Sequence, residues 1–309
     1  MTMESDTLTK QIARWADSPA EHAQAAEALA EWGEHAIPGL RDYLRRGPQV
    51  IPQPRCFAVA MLARLHATAA TECLRSVLRE HPLKSLPPAF AEAEYVVKSG
   101  ALNALCARSY EALVDDVAFG IGERLRIAVE AAGRLRLVAA GTQLVDFLDD
   151  DVLADTAMDA LGLMGSGAAA AIAPRLDAWL SEAAFSARRR LAVVRAFRIM
   201  QRVHAAGMQR VIQHALADEH AGVRAVGALL AWPARRDATV MDGLVRGAVG
   251  FDRGLADDCR AALAGAGMEL VEPVQRALHR DAEPDLYGDE RALSFEQTDW
   301  LARRLAERQ

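Results

Sequence analysis

The side chains best suited to chemistry are four Glu-His dipeptides and four isolated cysteines. The dipeptides are Glu21-His22, Glu34-His35, Glu80-His81 and Glu219-His220. Carboxylates and imidazoles ligate metals, but a bound ion needs three or four donors converging on one point. These pairs fall at a helix start, a turn and two helix ends of the expected secondary structure. They therefore read as solvated surface pairs, and no metal site is expected. Cys56, Cys73, Cys106 and Cys259 form no CxxC pair. They read as reduced thiols of a cytoplasmic protein, each serving as a small buried hydrophobe. No nucleophile-elbow, phosphate-loop or dinucleotide-loop phrase occurs, and Gly162, Gly165 and Gly167 lack an upstream strand. No catalysis and no cofactor are expected.

Charge offers a different chemistry, that of binding. Arg41, Arg45, Arg75 and Arg79 are followed by Glu111, Asp115 and Asp116, then by Asp146, Asp149, Asp150 and Asp151. Glu111/Asp115 and Asp146/Asp150 are like-charge i,i+4 pairs, each costing a few tenths of a kcal/mol on an exposed helix. Acid at a helix C-terminus also opposes the macrodipole. Stability alone would not favour that arrangement. It suits a negative seat for a basic protein segment, with the four arginines holding an acidic portion. The plainer alternative is that Asp151 caps the next helix while the other acids solubilise the surface. Trp179 falls at the level of Arg45, Arg79 and Asp150 and is either a binding anchor or an inward-packing residue. Arg188, Arg195, Arg198 and Arg202 share one helical stripe, either a solvated face or a phosphate-binding patch.

The elements that carry these residues are helical. Of 309 residues, 51% are hydrophobic but only 6% aromatic. Alanine, leucine, arginine and glutamate favour helix over strand. A net charge of -6 argues against bulk attraction to nucleic acid or anionic membrane. The N-terminus lacks a signal-peptide pattern. The most apolar window, 160–174, is shorter than the roughly 20 residues that span a bilayer.

Apolar residues recur at three- and four-residue steps throughout. The phrase DALGLMGSGAAAAIAPRL at 159–176 has relatives starting at Glu27, Ala60 and Ala261: a helix end, a short turn, a second helix. Apolar markers before the turn are Leu29, Leu62, Leu105, Ala132, Leu161, Phe197, Leu229 and Leu263. Their mean spacing of about 33 residues signals stacked repeats. A second row follows the first apolar pair of each second helix: Arg41, Arg75, Asp115, Asp146, Arg175, Gln213, Arg246 and Gln275. All are polar, although only their neighbours select them. Small residues fit the contacts between stacked helices.

On the ALGLMG phrase at 160–165, IPGLRDYL at 37–44 and the polar row, residues 19–280 resemble HEAT repeats, in particular the PBS-lyase HEAT-like variety. The resemblance implies an all-α, right-handed α-solenoid of about eight hairpins forming one domain. Residues 1–18 would be an N-terminal cap helix, and 281–309 a loop and a C-terminal cap helix. It implies that the second helices line a concave groove. Ser18-Pro19-Ala20-Glu21 and Ser294-Phe295-Glu296-Gln297 read as capping boxes, and 82–96 as an ordered loop or extra turn. HEAT-like folds include a two-metal hydroxylase family with His-Glu pairs in equivalent repeats, an order reversed here. They also include DNA glycosylases with a basic concave surface. The favoured expectation is a non-catalytic binder of a protein partner: a scaffold, an assembly factor, or an immunity protein opposing a basic toxin. The Ala/Arg-rich style suggests a bacterial source. A nucleic-acid-binding, glycosylase-like protein is the alternative.

Overall fold

The computed structural model describes residues 5–108, 113–180, 187–203, 208–232, 234–250, 253–264, 266, 270–279, 283–284, 290–291 and 293–307. The chain divides into two compact units, Met1–Ala140 and Gly141–Gln309. The first holds α1 (Ser5–Ala16), α2 (His22–Trp32), α3 (Ile37–Leu44), α4 (Gln53–Arg64), α5 (Thr68–Arg79), α6 (Pro88–Cys106), α7 (Val114–Gly122) and α8 (Arg126–Arg134). The second holds α9 (Gly141–Asp146), α10 (Ala154–Met164), α11 (Ser166–Leu180), α12 (Ala187–Arg202), α13 (Gln209–Leu216), α14 (Ala221–Ala231), α15 (Ala238–Ala248), α16 (Arg253–Leu263), α17 (Val271–Leu278) and α18 (Phe295–Ala306). The protein is all-helical apart from a two-residue antiparallel pair, Glu283–Pro284 with Glu290–Arg291, within the expected polar connection. Among the described residues no helix is long and apolar enough to cross a membrane.

Packing follows a two-row rule inside each unit. Most helices one apart in sequence touch, and helices two apart pack in series. In the first unit α3 packs on α5 and α5 on α7, while α4 packs on α6 and α6 on α8. In the second, α9, α11, α13, α15 and α17 form one such series and α10, α12, α14 and α16 the other. The sequence explains the rows. Every apolar marker from Leu29 to Leu263 is buried, and every member of the polar row from Arg41 to Gln275 is not. Gly33 and Gly165, at φ 54 and 61, end α2 and α10 in a left-handed conformation that a Cβ would strain, so the chain turns at once into the next helix. Close approach explains the small residues. A Cβ at Gly141 would meet that of Ala171 at 2.8 Å, and one at Gly247 would meet Cys259 Sγ at 2.5 Å.

Local expectations fared unevenly. Ser294 and Gln297 form the reciprocal capping box of α18, whose Leu301 is buried. Ser18 makes no cap hydrogen bond. Glu21, its expected partner, is drawn off by Arg14 at 3.3 Å. The segment 82–96 is an extra turn only in its first part. After a 3₁₀ turn at Leu83–Ser85, its remainder begins the 19-residue α6, started by Pro88. Pro174 lies inside α11, which starts at Ser166, rather than near the helix start.

The first unit also buries charge. Arg55 of α4 donates from Nη1 to Glu94 Oε2 of α6, and both side chains are 1% exposed. One turn on, Lys98 Nζ lies 2.9 Å from Glu123 Oε2, which also accepts from Leu83 N. Burial pushes the Glu94 carboxyl above its usual range, more than Arg55 and Lys98 pull it down.

Candidate functional site

The arginines of the first unit are positioned by two short amphipathic helices. In α3, Ile37, Leu40, Tyr43 and Leu44 turn inward, so Arg41 and Arg45 face solvent. In α5, Ala70, Cys73, Leu74, Val77 and Leu78 are buried, which puts Arg75 and Arg79 on the outer side. The helices pack on each other, and Cys73 of α5 feels the charge of both Arg41 and Arg45. The pairs Arg41/Arg45 and Arg75/Arg79 are alike in spacing, and Arg41 and Arg75 are both members of the polar row.

Their partners differ. Arg75 Nε and Arg79 Nη2 each donate at 2.8 Å to the Asp116 carboxylate, one to each oxygen. Asp116, on α7, is 2% exposed, against 36% and 51% for the two arginines. An ionised carboxylate gripped through both oxygens is the strong form of this interaction. Arg41 has only its neighbour Asp42, at 3.8 Å. The Arg45 side chain makes no hydrogen bond or ion pair among the described residues, and Arg46 lies over the Tyr43 ring at 5.2 Å.

The acidic candidates are mostly engaged within the molecule. Asp115 is exposed in the first turn of α7, where acid complements the helix dipole. Asp146 is held by Arg175 of α11 through Nε at 2.9 Å and through Nη2. Asp149 pairs with Arg189 at 3.5 Å. Asp150, not Asp151, closes the turn into α10, its Oδ1 accepting from Val152 N and Leu153 N at 2.9 Å. Glu111 and the Arg188 side chain lie outside the described residues. Trp179 is 2% exposed and belongs to the core, with the Arg189 guanidinium 4.9 Å above its ring. The Arg stripe of α12 is not a free face either: Arg195 donates to Leu148 O at 2.7 Å, and Arg198 pairs with Asp258 at 3.1 Å. Of the described side chains of the stripe, Arg202 alone is exposed.

A feature that the sequence reading did not foresee is a series of ion pairs between successive helices of the polar row. Asp116 joins α7 to α5, Asp146–Arg175 joins α9 to α11, and Asp177–Arg210 joins α11 to α13 at 3.4 Å. Asp242–Arg276 joins α15 to α17 at 3.7 Å, with Arg246 also on Asp242 at 2.7 Å. Only the i,i+4 spacing of Asp242 and Arg246 signals any of this in sequence. The last junction lies in an open cleft of about 630 Å³ lined by Asp218, Glu219, Arg224, Asp242, Arg246 and Arg276. Its charges answer one another and leave no field of one sign.

The Glu-His pairs do not converge. His22 stacks on Phe57 with ring centroids 4.4 Å apart, Glu34 and His35 are exposed, and His220 is tied to Asp218 at 3.2 Å. Among the described residues no group of three or more His, Cys, Asp or Glu side chains could hold a metal ion. All four cysteines are free thiols. Burial pushes Cys56, Cys73 and Cys106 above the usual thiol range, which disfavours the nucleophilic thiolate. Comparison with family models, curated proteins and solved structures finds no match for the chain.

Proposed function

We propose that each unit is a run of HEAT-like helical hairpins of an α-solenoid, and that the protein is a non-catalytic binder of a protein partner through the polar faces of its second helices. The observation that carries this reading is the pair of rows: eight apolar markers buried and eight polar markers unburied, at one position per hairpin. Such a face repeats side chains at regular intervals along a stack and forms an extended surface. The acids once read as a seat for a basic segment are largely neutralised internally, so the arginines of α3 and α5 are the stronger element.

The test is capture of a partner by the immobilised protein from lysate of its source, followed by reconstitution with the purified partner. A stoichiometric complex supports the reading. Retention of generic duplex DNA instead, with affinity falling steeply as salt rises, would replace it with the nucleic-acid alternative.

A further inference from the structure

We infer that Arg41 and Arg45 form a carboxylate clamp on α3 that takes an aspartate or glutamate of an acidic polypeptide segment. The inference rests on the protein-binding reading above and names the chemistry of the partner. The clamp one repeat later shows what such a pair does. Arg75 and Arg79, four residues apart on α5, grip both oxygens of Asp116, the residue immediately after the polar-row member of α7. Arg41 and Arg45 have the same spacing at the same repeat positions, on a helix that packs on α5 just as α5 packs on α7. The residue of α5 that corresponds to Asp116 is Ser76, and its hydroxyl is turned to Glu80 Oε1 at 2.5 Å. Glu72, the one acid within α5, makes no ion pair with either arginine among the described residues. Both arginines stay exposed, and among the described residues the distant contact of Arg41 to Asp42 is the one ion pair that either makes.

The occupant follows from size and sign. The pair spans a single turn at the end of one helix, with Asp42 beside Arg41. A polyphosphate chain would need a longer basic track than two arginines one turn apart. One or two carboxylates on a flexible segment match two guanidinium groups one turn apart.

The experiment is fluorescence anisotropy of the full chain with a labelled deca-glutamate peptide at low salt. Binding should weaken steeply as salt rises. The double variant Arg41→Gln/Arg45→Gln should weaken it at least about tenfold without changing the helical circular dichroism. Ser76→Asp should block the peptide as well, by supplying from within the carboxylate that α7 supplies to α5, and it should raise the melting temperature. The inference is overturned by three results: no peptide binding, equal binding by both variants, or a duplex DNA or anionic vesicle held by the same arginines more tightly than the peptide. If the arginine variant still captures the partner from lysate, the clamp fails while the protein-binding reading stands. If wild type captures nothing, that reading fails whatever the peptide does.

Discussion

Removing one partner of the Arg55–Glu94 pair should damage the first unit far more than removing both. Each side chain is 1% exposed, and the nearest other cation, Lys98, is already committed to Glu123 at 2.9 Å. Arg55→Met leaves a buried carboxylate, and Glu94→Leu a buried guanidinium, without a dedicated counter-charge. Each single change should cost about 3–5 kcal/mol, whereas Arg55→Met/Glu94→Leu should lie within about 1–2 kcal/mol of wild type on either side. Against a domain stability of about 5–15 kcal/mol, each single variant should melt on the order of 10 °C lower. Urea unfolding read by tryptophan fluorescence suits this unit, because Trp15 and Trp32 pack together with ring centroids 5.3 Å apart. Burial raises the Glu94 pKa, so the folded chain takes up its proton before the unfolded one does. Its contribution to stability is therefore greatest below the ordinary carboxylate range and declines as pH rises through the raised value. The double variant should lose that slope. A double variant as unstable as the sum of the two singles would refute the coupled-pair reasoning.

Gly247→Ala should destabilise the second unit by about 1–3 kcal/mol in denaturant titration, since a Cβ there meets Cys259 Sγ and the Ala225 Cβ at 2.6 Å or less. An unchanged or higher midpoint would show that α15 can move away at no cost. Ser294→Ala should cost about 1 kcal/mol through loss of the α18 cap, visible as faster amide exchange in 295–301 before any change elsewhere. Burial alone would raise the Asp237 carboxyl, but Arg235 and the N–H groups of Val240 and Thr239 hold it below the usual range. Its capping contribution should thus be present above the ordinary carboxylate range and fade as pH falls through the lowered value, and Asp237→Asn should flatten that dependence. Buried Cys73, Cys106 and Cys259 should resist a thiol reagent until denaturant is added, while half-buried Cys56 reacts slowly in the folded protein; fast labelling of all four would contradict their placement.

Much of the helix order was legible because burial repeats. Leu62 and Leu105 are apolar for the same reason, and a period of one hairpin shows through their neighbours. Pro88 starts α6, whereas Pro174 lies inside α11. A proline is tolerated at a helix start but does not require one, so packing decides where the helix begins. The charged side chains were legible only as positions. Asp116 sits next to Asp115 in sequence, yet one is buried in a clamp and the other exposed. The difference is set by α5, which lies about forty residues upstream. Trp179 likewise shares a helical level with polar residues but turns inward. No spacing rule within one helix carries information about which helix lies beside it.

The ion pairs between polar-row helices also bear on how such a chain can evolve. Each junction places its pair at a different height. Asp146 and Arg175 are both polar-row members; Asp177 lies two residues after one and Arg210 three before the next; Asp242 precedes its row member by four residues and Arg276 follows its own by one. A hairpin copied or transplanted to another place in the series would meet a neighbour whose charge sits a turn too high or too low. Shuffling of modules is thereby penalised, and each hairpin is tied to one address in the chain. Averaging the hairpins into a consensus would keep the buried markers and erase these addresses.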